Sequence, residues 1–264
     1  MRPCARRLLL AAWLALPFAS GCALPARAPN PSFSIAREDA RADLGRMAAD
    51  PAPLVRPLVI LAGTGDPDVS SSAIRRLLLP ALAGPTASVD FFDEFTFAGC
   101  RQKLFREVAR QLACPIDAVP EVDVVAFSMG GLVAREAAIP DAAGRRLRIR
   151  RLYTIATPHQ GARMAGMPLG VPLFEDMRPT SDLIARLRRA PIEYELVCYA
   201  RLDDPTVGEE FAAPEGVPLW WVPTPSGEWA HMAAFSDPRI LADVARRLRG
   251  EEPHARAPAA PLPN

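Results

Sequence analysis

The stretch VDVVAFSMGGLVAREAA (122–138) decides how the rest of the chain reads. Val122 to Phe127 is a short apolar run, as expected of a strand covered on both faces. Ser128 follows at once, and Leu132 to Ala138 then carries the periodicity of a helix. A chain that turns directly from strand into helix leaves no room for bulky neighbours. Gly130 and Gly131 supply that space on the helix side, and Ala126 is small on the strand side. The turn would lift the Ser128 hydroxyl clear of the sheet. The alternative is a core strand–turn–helix in which the Ser is incidental.

Working outward, apolar runs alternate with amphipathic segments. The expected strands are 57–63 (PLVILAG), 87–93 (ASVDFFD), 149–156 (IRRLYTIA), 194–200 (YELVCYA) and 218–223 (PLWWVP), besides 122–127. Between them lie a helix around Ile74 to Leu82, with Ser70 to Ser72 as its cap and Pro80 ending or kinking it, a helix through Leu104 to Leu112, and one begun near Ser181. A last helix runs through Ile240 to Leu248, with Asp237 as cap and Pro238 at its first position. Strand–helix alternation with buried strands implies an α/β domain over residues 51–250, a mainly parallel sheet of about six strands with helices on both faces. Residues 22–50 read as a Pro/Ala-rich tether with one helical patch, and 251–264 as a disordered tail.

The segment around Ser128 resembles the nucleophile elbow of the α/β-hydrolase superfamily, G-x-S-x-G, here A-F-S-M-G with Ala126 for the first Gly. Phe127 stands where His is common in lipases. LYTIATPHQGA (152–162), DMRPTSDLIARL (176–187), LDDPTVG (202–208) and AHMAAFSDPRIL (230–241) are similar to further lipase-like segments, so the resemblance runs from Pro57 to Gly250. It implies the α/β-hydrolase fold and the order nucleophile, acid, His. Of the three His, His254 lies in the tail and His159 comes too early, which leaves His231 as the base. In the resembling lipases a His at the position of His159 shapes a loop. The acid is Asp204, on its match to Asp-x-x-Val through Val207, with Asp203 as a solvated neighbour. The oxyanion donors implied are the backbone N–H groups of Met129 and of Thr64, in the loop AGTG (62–65) that replaces the family's His-Gly. A plain Gly-rich turn is the other reading of that loop. Residues 163–193 suit either a mobile lid or a fixed cap.

Composition narrows the alternatives. The chain is 50% hydrophobic and 23% charged with a formal charge of +1, and it has no basic patch with interleaved aromatics, so nothing points to nucleic acid. No His/Cys/acid cluster has metal-ligand spacing, and no cofactor is implied. Arg2, Arg6 and Arg7, then an apolar run from Leu8 to Phe18, then small residues before Cys22, have the layout of a secretory signal over residues 1–21. ASGC (19–22) resembles the lipobox of bacterial lipoproteins, which implies lipidation of Cys22 and anchoring in the cell envelope of a bacterium. A plain signal peptide cut near Ala28 is the alternative. Cys100, Cys114 and Cys198 read as buried thiols, since a helix between the first two would hold them roughly 20 Å apart. The expectation is a lipid-anchored serine esterase or lipase-type enzyme with an ester or lipid substrate. The rivals are an acyltransferase or thioesterase on the same scaffold, and a binding lipoprotein without catalysis.

Overall fold

The computed structural model describes residues 29–166 and 170–263. The expected signal segment 1–21 and Cys22 lie outside the described residues. The strands are β1 (Ala52–Pro53), β2 (Leu58–Thr64), β3 (Leu82–Ala83), β4 (Thr86–Phe91), β5 (Val122–Phe127), β6 (Ile149–Ile155), β7 (Glu195–Arg201) and β8 (Leu219–Val222). The helices are α1 (Arg37–Ala49), α2 (Val69–Leu78), α3 (Phe97–Gln111), α4 (Met129–Ala138), α5 (Pro172–Asp176), α6 (Asp182–Arg189), α7 (Ala230–Ala234) and α8 (Pro238–Arg249).

Six strands form one sheet in the order β4-β2-β5-β6-β7-β8, and every neighbouring pair is parallel. The short β1 and β3 pair separately. Every residue of β5 is buried, Asp123 included, as expected of a largely apolar central strand covered on both sides. One apolar layer joins the sheet to α3, α4 and α6 through residues such as Leu104, Leu132 and Ile184. The other joins it to α1, α2 and α8 through Leu44, Ile74 and Leu241. The chain leaves β2 for β4 on one side and returns to β5 on the other. The connections after β2 and β5 therefore run to opposite sides, and the carboxyl ends of strands at such a reversal are where open parallel sheets receive ligands.

Several local expectations need correction. The helical patch expected around Ile35 to Met47 is α1, but it is not part of a tether: Ala40, Leu44 and Met47 are buried in the second apolar layer. The C-terminal segment is not free either. Ala255 is buried, its N–H donates to Asp243 Oδ1 at 2.7 Å, and Trp221 Nε1 donates to the carbonyls of Ala260 and Pro261, both at 3.1 Å. Pro and Ala offer few side-chain anchors, so composition reads such a segment as loose; here the main chain itself is held. The cap of α2 is not a serine. Asp66 accepts from the N–H groups of Val69 and Ser70, while Ser71 and Ser72 sit inside the helix and donate to Asp68. Asp237 does cap α8, accepting from Arg239 N at 3.0 Å.

In the segment 163–193, Leu173, Met177, Leu183, Ile184 and Leu187 all belong to the first apolar layer, so α5 and α6 are built into the core. Cys100, Cys114 and Cys198 are free thiols. Among the described residues no helix is long and apolar enough to cross a membrane.

Candidate active site

Ser128 stands between β5 and α4 with φ 52° and ψ −128°. A non-glycine residue at positive φ is strained and persists only where its surroundings fix it. Here its N–H donates to Ile155 O at 2.9 Å, and Thr157 Oγ1 and Gly131 N donate to its carbonyl at 2.8 and 3.1 Å. The two glycines after it are sterically required. A Cβ on Gly130 would lie 2.5 Å from the carbonyl oxygen of Ala62, and one on Gly131 would lie 2.3 Å from Thr157 Oγ1. The close packing expected from the sequence is thus a packing of α4 against both β2 and the end of β6.

His231 lies on α7, in the connection from β8 to α8, and is buried. Its Nε2 is 3.1 Å from Ser128 Oγ and its Nδ1 is 2.8 Å from Asp204 Oδ2. Three residues far apart in sequence thus form one hydrogen-bonded line. With Asp204 accepting at Nδ1–H, Nε2 is free to accept from the serine hydroxyl. Phe127, immediately before the serine, packs on the imidazole with ring centroids 5.0 Å apart and is itself edge-packed on Phe235. This wall restricts the imidazole, so the residue that departs from the lipase pattern has a visible job.

The Asp-x-x-Val pattern also acquires a physical meaning. Asp204 Oδ1 accepts from Thr206 N at 2.8 Å and Val207 N at 3.1 Å, which leaves Oδ2 to face His231. Val207 is buried and anchors the turn. Asp203 is exposed, with a left-handed φ of 63°, whereas Asp204 is buried against His231.

Met129 opens α4, so its N–H belongs to the first turn, whose donors lack intrahelical acceptors. Thr64 is the last residue of β2, paired with Phe91, and not part of an open loop. Its hydroxyl donates to Met129 Sδ at 2.8 Å, which sets residues 64 and 129 side by side. A Cβ on Gly63 would lie 3.2 Å from the Phe127 ring and 3.3 Å from Ser128 Cβ, so a side chain there would press on both the wall residue and the serine.

His159 stands apart from this line. It is buried, Arg135 Nη1 donates to its Nδ1 at 3.2 Å, and its Nε2 is 2.9 Å from Thr154 Oγ1 and 3.6 Å from Cys198 Sγ. Arginine can only donate, so Nδ1 is the acceptor and Nε2 carries the proton. Burial, and after it the Arg135 guanidinium, hold this imidazole well below its ordinary value of 6.5. Burial likewise pushes the Cys198 thiol up to about 12. The unfolded chain takes up a proton at residue 159 below pH 6.5 while the folded one does not. The contribution is full above that pH and is lost as pH falls, with a limiting slope of about 1.4 kcal/mol per pH unit. Denaturant unfolding at pH 7, 6 and 5 is expected to show this loss, and His159→Asn to flatten it. An unchanged slope in a folded variant would contradict the assignment.

A cavity of about 500 Å³ opens elsewhere, near the start of β6, between Arg135, Leu147, Leu187 and Tyr194; Ser128 and His231 do not line it. Among the described residues no group of three or more His, Cys, Asp or Glu side chains is gathered as metal ligands would be.

No protein-family model and no curated protein matches the chain. Solved structures do. The lin2722 gene product of Listeria innocua superposes with a TM-score of 0.51 at 14% identity, over 75% of this chain and 95% of that one. The phospholipase PlaB of Legionella pneumophila gives 0.51 at 11% identity, over 74% of this chain. Aspergillus fumigatus lipase B gives 0.52 at 16% identity, over 75% of this chain. The chain has the α/β-hydrolase fold. The chain spans 59% of the length of the phospholipase and 53% of that of the lipase.

Sequence order picked out Ser128, Asp204 and His231, and the fold brings these three together. It brings Thr64 beside Met129 as well. What the sequence reading left out is the set of charges that holds the His231 segment, above all Arg201 and Glu228. An arginine directly after the apolar run Leu196 to Ala200 was the available signal.

Proposed function

We propose that this protein is a serine hydrolase of carboxylic esters that works through an acyl-enzyme. The observation that carries the reading is the continuous line Ser128 Oγ–His231 Nε2 at 3.1 Å and His231 Nδ1–Asp204 Oδ2 at 2.8 Å, on a serine held at positive φ. A serine hydroxyl is a weak nucleophile until a base takes its proton. Ser128 Oγ attacks the ester carbonyl and its proton passes to His231 Nε2. Asp204 holds the imidazole in the tautomer that accepts there and stabilises the imidazolium. The carbonyl oxygen, now an oxyanion, receives the N–H groups of Met129 and Thr64. The intermediate expels the alcohol, which takes the proton from His231. Water then repeats the sequence on the acyl-serine and releases the acid.

Apolar side chains stand exposed on the connections leaving the carboxyl ends of the strands: Val69 after β2, Phe92 and Phe95 after β4, and Trp229 and Met232 after β8. They support an acyl or alcohol group with hydrocarbon character. The test is a panel of p-nitrophenyl esters of rising chain length, run with and without an added alcohol. Release of free acid with saturation kinetics supports the hydrolase; transfer to the alcohol in preference to water would make it an acyltransferase, and no turnover at any length would leave a binding protein.

We further propose that Cys22 bears a lipid that anchors the domain to a bacterial membrane. Several acyl chains on one cysteine, each CH₂ worth about 0.8 kcal/mol when buried, anchor firmly. Cys22→Ser is expected to abolish acyl labelling and shift the protein to the soluble fraction. A variant that stays labelled and membrane-bound would refute the lipobox reading.

A further inference from the structure

The connection from β8 to α8 carries His231, and two of its carboxylates, Glu228 and Asp237, flank that residue in sequence. Both turn back to the same buried side chain. Arg201, the last residue of β7, has no solvent exposure; its Nη2 donates to Glu228 Oε2 at 2.7 Å, and its Nε lies 3.5 Å from Asp237 Oδ2. Glu228 is held from its other oxygen by Arg37 Nη1 at 2.5 Å. Asp237 is engaged by Arg239 through both oxygens and caps α8. Arg201 also stands just ahead of Asp204 on the segment that delivers the acid, where Leu202 N donates to Val222 O at 3.0 Å. One guanidinium thus joins the strand that presents Asp204 to both flanks of the segment that presents His231.

The arrangement is a poor device for stability alone. Arg201 Nη1 is buried without a hydrogen bond, and Nε meets Asp237 only as an ion pair at 3.5 Å. A buried guanidinium with idle donors carries a desolvation cost, and an apolar side chain of similar volume often serves a core as well or better. Its use lies in orientation, because two partners on opposite sides of His231 fix where that segment sits. A base must reach its proton within hydrogen-bond distance, and a displacement on the order of 1 Å costs about 10²-fold in rate.

We infer that Arg201, acting through Glu228 and Asp237, is a positioning residue that sets the distance of His231 from Ser128 and Asp204. This rests on the proposed role of those three residues. Arg201 touches no reacting atom in this account, so its loss acts on kcat and not on substrate binding.

The test uses the full chain with Arg201→Met, Arg201→Lys and Glu228→Gln. Each variant is measured for its unfolding midpoint, the rate of fluorophosphonate labelling at Ser128 per native molecule, and kcat and KM on a p-nitrophenyl ester. Arg201→Met is expected to lower kcat and the labelling rate by about 10- to 100-fold, with KM within about twofold. Arg201→Lys is expected to recover part of the loss, since it restores one charged contact. Glu228 is partly exposed, so Glu228→Gln tests the same link without emptying the core, and about a tenfold loss is expected. Full labelling rate and kcat in folded Arg201→Lys and Glu228→Gln proteins would overturn the inference, whatever their midpoints. Failure of the wild-type protein itself to label at Ser128 would remove the underlying reading and this inference with it, and that outcome is visible before any substitution is made.

Discussion

Ser128→Ala is expected to lower kcat on a p-nitrophenyl ester by about 10⁴- to 10⁶-fold while leaving the unfolding midpoint close to that of the wild-type protein. The size follows from what the hydroxyl does in the proposed cycle. Without Oγ no acyl-enzyme forms, and His231 has no nucleophile to activate; what remains is the oxyanion donors and the apolar surroundings. The fold should survive because the contacts that hold residue 128 are made by its backbone, with Ile155, Thr157 and Gly131. Alanine keeps the same Cβ at the same positive φ, so the strain is unchanged. Parallel steady-state kinetics and denaturant unfolding read both quantities. Activity retained within tenfold would move the nucleophile elsewhere.

The second large effect is expected at the acid. Asp204→Asn keeps an oxygen for the turn that binds Thr206 N and Val207 N, but it can offer an N–H toward His231 Nδ1. The imidazole then turns its acceptor nitrogen to the amide and its proton to the serine, which is the wrong tautomer for a base. We expect kcat to fall by about 10²- to 10⁴-fold. Asp203→Asn is expected to stay within a few-fold of wild type, because His231 Nδ1 is already partnered by Asp204, residue 203 is exposed, and asparagine also tolerates left-handed backbone. A large defect at 203 with normal activity at 204 would reverse the assignment. Near-normal activity in both would transfer the role to another carboxylate.

Much of the fold was legible because its central strands are buried on both faces. Such strands read as mainly apolar runs, despite Asp123 in β5 and Arg150 and Arg151 in β6, and β5, β6 and β7 lie within a residue of their expected bounds. The site was legible where chemistry and chain order act locally: a serine between a strand and two glycines, a histidine between the last strand and last helix. The Asp204 turn is local too, which is why a four-residue pattern could separate it from Asp203. What escaped depends on partners distant in sequence. The tail is held by Asp243, Trp221 and Ser32, and none of those pairings leaves a mark on the tail's own composition. α1 is too polar on average to announce its buried stripe of Ala40, Leu44 and Met47. Arg201 reads as an ordinary charged strand end until Glu228 and Asp237 are brought to it. Thr64 was assigned to a loop because the Gly63 and Gly65 around it suggest a turn, whereas the strand continues through Gly63 to pass beneath Ser128.

If Ser128 is an activated nucleophile, a fluorophosphonate reacts there on the folded protein. Wild-type protein is treated with the reagent at neutral pH, digested, and mapped by mass spectrometry, with a heat-unfolded sample alongside. One adduct per chain is expected, on the peptide containing Ser128, and none in the unfolded sample, because activation needs His231 in place. An adduct on a different residue of the folded protein, or a folded protein that takes up no reagent, would contradict the role given to Ser128.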